Sequence, residues 1–162
     1  MQAAGHRLVR RTYTGLCERT HLANLAIDLE THILDILNVI AYEDLHDIVL
    51  IGHSYGGMVA TGVADRARDR IQQLIYLDAF VPENGKSMVD YVPESNRQNK
   101  RESARLGDGW RVPPDTLQSD ASEADVVWYS ARCAPMPIKC FESKLMLCGG
   151  ELTLPRTSIY AT

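Results

Sequence analysis

The chain has 162 residues and a formal net charge of −4, from 17 Lys and Arg against 21 Asp and Glu. That length supports one core, and 45% hydrophobic with 23% charged residues excludes a disordered chain. The acidic balance without a Lys/Arg cluster excludes nucleic-acid binding; no apolar run reaches the ~18 residues of a membrane span and Met1–Gly5 lacks a signal core, so no membrane partner and a cytoplasmic location are expected.

Taken in chain order, His6–Arg11 reads as a short extended run around Leu8 and Val9, and Thr12–Asn24 as a loop. Asp28 then caps a helix. Leu29, Ile33, Ile36, Leu37 and Ile40 recur at spacings of three and four, which is one apolar face, and Glu30 suits the first turn of the dipole. Ile48–Ile51 is an unbroken apolar run between Asp47 and Gly52, as expected of a strand buried on both faces. Met58, Val59, Gly62 and Val63 follow as a helix with a small-residue face, and Leu74–Leu77 forms a second apolar strand ending at Asp78. Helix, strand, turn, helix, strand is the α/β order, implying a mostly parallel sheet with covering helices.

Composition changes at Pro82. Residues 82–140 hold six of the seven prolines. Short helices are predicted around Pro93–Leu106 and Ala121–Cys133, so this stretch reads as a helical cap inserted between a core at 1–81 and a return to the core at 141–162. An irregular loop region is the alternative. Lys144–Cys148 and Arg156–Ala161 are strand-like. The four cysteines (17, 133, 140, 148) form no CxxC pair, so neither a disulfide framework nor a zinc site is expected, and no metal or organic cofactor is implied.

Gly52-His53-Ser54-Tyr55-Gly56 is a G-x-S-x-G pattern set between a buried strand and a helix. A sharp turn there holds Ser54 Oγ exposed at the end of the strand, where a nucleophile is needed. Gly52 and Gly56 are expected to be required because side chains would clash across the turn. The Tyr55 backbone N–H would supply one half of an oxyanion hole. The bland alternative is a glycine-rich turn with a chance serine. A phosphate loop does not fit, since neither G-K-[ST] nor G-x-G-x-x-G is present.

These residues, with Tyr76–Pro82, Thr14-Gly15-Leu16, Glu18-Arg19, His21-Leu22, Gly107–Trp110 and Pro155-Arg156-Thr157, resemble the α/β-hydrolase superfamily. The likeness is to esterase-like members related to plant methyl esterases and hydroxynitrile lyases. It implies serine-dependent hydrolysis of a small carboxylic ester or amide through an acyl-enzyme, with a small-molecule ester as partner. It also implies an earlier strand with a His-Gly loop, a late acid and a C-terminal His. None of these is in the sequence, so the chain reads as the middle of a hydrolase and little turnover is expected from it alone.

Among the five histidines, His53 adjoins Ser54 but should point into the fold, and His32 lies off the apolar stripe as a surface or helix-packing residue. His6 and His46 precede strands, at the end opposite the serine. His21 is the one base candidate, with a loop role as its alternative. Asp78, ending the next strand, is the acid candidate; a loop-ordering carboxylate is the alternative. Trp110 and Trp128 would either line an acyl pocket or anchor the cap. A non-catalytic ligand-binding protein and a hydroxynitrile-lyase-like activity are the competing readings. Open sheet edges are expected to promote self-association.

Overall fold

The computed structural model describes residues 2–117 and 121–161. In chain order its elements are α1 (Leu29–Tyr42), β1 (Ile48–Ser54), α2 (Gly56–Arg66), β2 (Ile71–Ala79), α3 (Glu94–Leu106), β3 (Arg111–Val112), α4 (Glu123–Ser130), β4 (Met136–Pro137), α5 (Ile138–Glu142) and β5 (Arg156–Ile159), with short 3-10 turns between them. β1, β2 and β5 form a parallel sheet with β2 in the centre, and β3 pairs with β4 as a two-residue antiparallel ribbon.

α1 starts where the sequence places its cap. The Thr31 N–H donates to the Asp28 carboxylate at 3.0 Å, and the Asp28 N–H returns to the Thr31 hydroxyl. Leu29, Ile33 and Ile40 are buried, and Ile36 and Leu37 pack beside them. α2 lies between α1 and the sheet, and it is small where it must be. A Cβ on Gly62 would come within 2.4 Å of Ile33 Cδ1, so this glycine sets the helix–helix approach. On the sheet side, the Thr61 hydroxyl bonds both the Gly57 carbonyl (2.8 Å) and the buried Tyr76 hydroxyl (2.7 Å). Arg66 grips Glu30 through two bonds of 2.5 and 2.6 Å, clipping α2 to α1.

Three expectations are corrected. β1 is not buried on both faces: Val49 and Ile51 are 45% and 37% exposed. Both helices lie on one side, so the opposite face, which continues through Leu77 and Ile159, is open among the described residues. His6–Arg11 forms no strand. Its arginines Arg7 and Arg11 instead bind Glu43 at the end of α1. Lys144–Cys148 forms no strand. Leu145 exchanges backbone bonds with Gly85 and Lys86, and the Cys148 and Gly149 N–H groups donate to Asp65. Leu145 itself reaches the core and is 1% exposed.

Between residues 82 and 140, α3 buries only Ala104 and α4 buries nothing. Trp128 is 60% exposed beneath Arg132, so it does not anchor this segment to the core. Trp110 is half-buried under the Arg111 guanidinium.

Candidate active site

The end of β1 turns into α2 at Ser54, whose backbone is left-handed with φ 51°. That region is unfavourable for a residue carrying a Cβ, and the surroundings must enforce it. Close packing does so. A Cβ on Gly52 would lie 2.5 Å from the Gly56 carbonyl oxygen, and one on Gly57 would lie 2.0 Å from the Phe80 carbonyl oxygen. The expected requirement for Gly56 is replaced by one for Gly57. Gly56 faces only the Tyr13 hydroxyl, at 3.5 Å, whereas Gly57 is pressed onto the end of β2.

Ser54 is partly exposed, and Tyr55 immediately opens α2. This helix has no side-chain cap, so its first amides are left to meet an anion or a developing oxyanion. Asp78 reaches the same end of the sheet. The register passes from His53–Leu77 to Ser54–Ala79, making Asp78 the extra residue of a bulge, also left-handed at φ 41°. The Phe80 N–H donates to the Ser54 carbonyl at 3.3 Å, closing the two strand ends together. Asp78 is exposed, and no hydrogen bond of its carboxylate is found among the described residues.

The histidines are distributed differently from expectation. His53 faces the open side of the sheet and is exposed, because it shares the orientation of Val49 and Ile51 on β1. His21 lies exposed in the 3-10 turn Cys17–Leu22, and among the described residues no strand precedes it. Among the described residues no histidine hydrogen-bonds the Ser54 side chain.

His32 is wholly buried, not a surface residue, and it is the group whose importance sequence reasoning missed. Its Nε2 lies 3.1 Å from the Thr14 carbonyl and its Nδ1 lies 3.0 Å from the Tyr55 hydroxyl. A carbonyl only accepts, so Nε2 carries the hydrogen, Nδ1 is bare, and the Tyr55 O–H donates to it. Burial holds the imidazole below its ordinary pKa, favouring this neutral form. Burial, with the Cys140 and Tyr13 groups alongside, raises the Tyr55 phenol well above its usual range, and burial pushes the Cys140 thiol up to about 12. Tyr13 stacks on His32 at 4.8 Å. One turn along α1, Asp35 accepts from the Thr14 N–H (2.6 Å) and hydroxyl (2.8 Å). The sequence signal was present as His32 and Asp35 at i, i+3, a polar pair flanking the apolar stripe.

Among the described residues, cavities of about 310 and 560 Å³ lie elsewhere: one between Asp28–Ile33 and Ser143–Met146, another lined by Val127, Trp128 and Arg132. Neither includes Ser54.

Comparison with known proteins agrees with this architecture. The chain is 39% identical to a carbendazim hydrolyzing esterase from Nocardioides over 163 residues, covering 93% of this chain and 66% of that enzyme. Among solved structures it superposes on an extracellular α/β-hydrolase from Paenibacillus, described as sharing homology with tobacco salicylic acid binding protein 2, with a TM-score of 0.88 at 25% identity over 98% of this chain and 67% of that one. A methylesterase from Arabidopsis shares the fold, with a TM-score of 0.69 at 21% identity over 97% and 66% of the two chains. The chain thus spans about two thirds of the length of each of these relatives. Residues 4–156 match the alpha/beta hydrolase family, and the chain belongs to it.

Proposed function

We propose that the whole protein is a carboxylic-ester hydrolase in which Ser54 is the acylated nucleophile. The observation that carries this reading is the left-handed Ser54 held at the end of β1 by Gly52 and Gly57, directly before the uncapped start of α2. In the proposed reaction Ser54 Oγ attacks the ester carbonyl while its proton passes to a base. The carbonyl oxygen gains negative charge and accepts from the Tyr55 N–H. The alcohol leaves with a proton, and water then cleaves the acyl-enzyme to release the acid. Asp78, brought to the same sheet end, is the proposed acid partner. The base is assigned to the part of the relatives' fold that this chain does not span. The Nocardioides relative, named for ester hydrolysis, supports a small ester as the substrate class.

One observation favours a second reading, a non-catalytic protein that holds a small ligand: among the described residues no histidine reaches Ser54. A fluorophosphonate probe separates the two. The whole protein should be labelled at Ser54, and Ser54→Ala should abolish both labelling and hydrolysis of 4-nitrophenyl acetate. An unlabelled Ser54 with ligand binding intact would establish the second reading instead.

A further inference from the structure

The geometry points to His32 as a positioning residue that acts on the Ser54 turn through the Tyr55 hydroxyl. This inference rests on the reading of Ser54 as nucleophile. Tyr55 has two tasks at once. Its backbone N–H follows Ser54 and begins α2, while its ring turns back into the core and is 8% exposed. A ring can be buried without being fixed, and here the contact of its hydroxyl with His32, beside the Cys140 thiol, fixes it. The Tyr55 O–H donates to His32 Nδ1 at 3.0 Å, and His32 cannot swing away because its Nε2–H is committed to Thr14 at 3.1 Å. Thr14 is in turn held by Asp35 on the same helix, through its N–H and hydroxyl. Three aromatic contacts close the remaining sides: Tyr13 stacks on His32, meets Tyr55 edge-on at 6.2 Å, and Phe141 of α5 lies 6.1 Å from the Tyr55 ring.

The turn at Ser54 needs such support. A left-handed serine relaxes if the residue after it is free to move, and a displaced Tyr55 carries its N–H away from the oxyanion position. Oxyanion donors act only where they are pre-aimed at developing charge. His32 is wholly buried and makes no hydrogen bond to Ser54 among the described residues, so its effect should fall on the chemical step rather than on binding. The same hydrogen-bond relay joins the loop at Thr14, helix α1 and the elbow, which makes that loop and the nucleophile one mechanical unit.

The test uses the whole protein and compares Tyr55→Phe, His32→Leu, His32→Gln and the Tyr55→Phe/His32→Leu double variant. Ser54 labelling by a fluorophosphonate and kcat for 4-nitrophenyl acetate should both fall about tenfold or more in Tyr55→Phe and His32→Leu, with KM little changed. His32→Gln, which offers both an amide donor and a carbonyl acceptor, should recover most of the rate. The double variant should be no slower than the worse single one, because both break the same link. If His32→Leu loses its cooperative melt, Tyr55→Phe decides, since it keeps the buried ring. Wild-type rates in Tyr55→Phe would overturn the positioning role while leaving the Ser54 reading intact. Absence of labelling in the wild type would overturn the Ser54 reading, and with it this one.

Discussion

Gly57 and Phe80 meet backbone to backbone: a Cβ on Gly57 would lie 2.0 Å from the Phe80 carbonyl oxygen, where no atom fits. The contact seats the first turn of α2 on the end of β2, and the serine turn is held in the angle between them. Gly57→Ala should therefore force the helix off the strand and cost about 3 kcal/mol. Gly56→Ala, with only the Tyr13 hydroxyl nearby at 3.5 Å, should stay within about 1 kcal/mol of wild type because Ala favours helix over Gly. Urea unfolding of the two variants checks this, and equal losses would show that the turn, not the strand contact, sets the requirement.

Much of this region was legible because its signals are local. Asp28 with its helical stripe, the Ile48–Ile51 run and the glycine-serine turn are each written within a few residues. What was not legible depends on partners distant in sequence. Ile48–Ile51 is equally apolar whether one face or two are covered, so the open face was invisible. Lys144–Cys148 has strand-like residues, but its amides end on Asp65 and on the loop at Lys86. Gly57 and Gly56 are neighbours of one type, and only Phe80 tells them apart. His32 sits off the stripe on paper, yet Tyr55 and Thr14 enclose it.

Asp65 shows how one carboxylate secures a loop. Its side chain is 1% exposed and accepts from the Cys148 N–H at 2.7 Å, the Gly149 N–H at 3.0 Å and Arg68 at 2.8 Å. Burial alone would raise its pKa, but the two amides and the guanidinium outweigh it and hold the carboxyl below the usual range. A depressed folded pKa means the unfolded state binds the proton first. Its stabilisation is therefore full above the ordinary carboxylate pKa and lost as pH falls through the lowered folded value. Asp65→Asn should cost about 2–3 kcal/mol near neutral pH. The gap from wild type should close in acid, as read from urea midpoints at several pH values. A pH-independent gap would mean that shape rather than charge matters.

His32 makes a parallel use of the same linkage. Its pKa is lowered from 6.5 by burial, so the folded protein resists the proton that the unfolded chain accepts. The neutral ring's contribution is complete above about 6.5, the unfolded value, and falls away as pH drops from there toward the folded value. His32→Gln, which has nothing to titrate at this position, should show a flatter stability curve between pH 7 and 5. An unchanged slope in that variant would assign the acid sensitivity to other groups.

The open face of the sheet carries the remaining prediction. Val49, Ile51, Leu77 and Ile159 are between 37% and 48% exposed, and paired register places Leu77 beside Ile159 across β2 and β5. β1 and β5 each have one unpaired edge among the described residues. Contiguous apolar surface of this kind favours association, and free strand edges give it a direction. The chain expressed by itself should therefore associate as its concentration rises in sedimentation velocity. Because the attraction is hydrophobic, added sulfate should strengthen it, whereas an electrostatic association would weaken. Ile51→Lys places a charge in the middle of the face without touching the α2 side of the sheet, and should shift the chain toward monomer with little change in its melting. Sedimentation as a monomer at every concentration in the unsubstituted chain would show that the exposed face is tolerated without a partner.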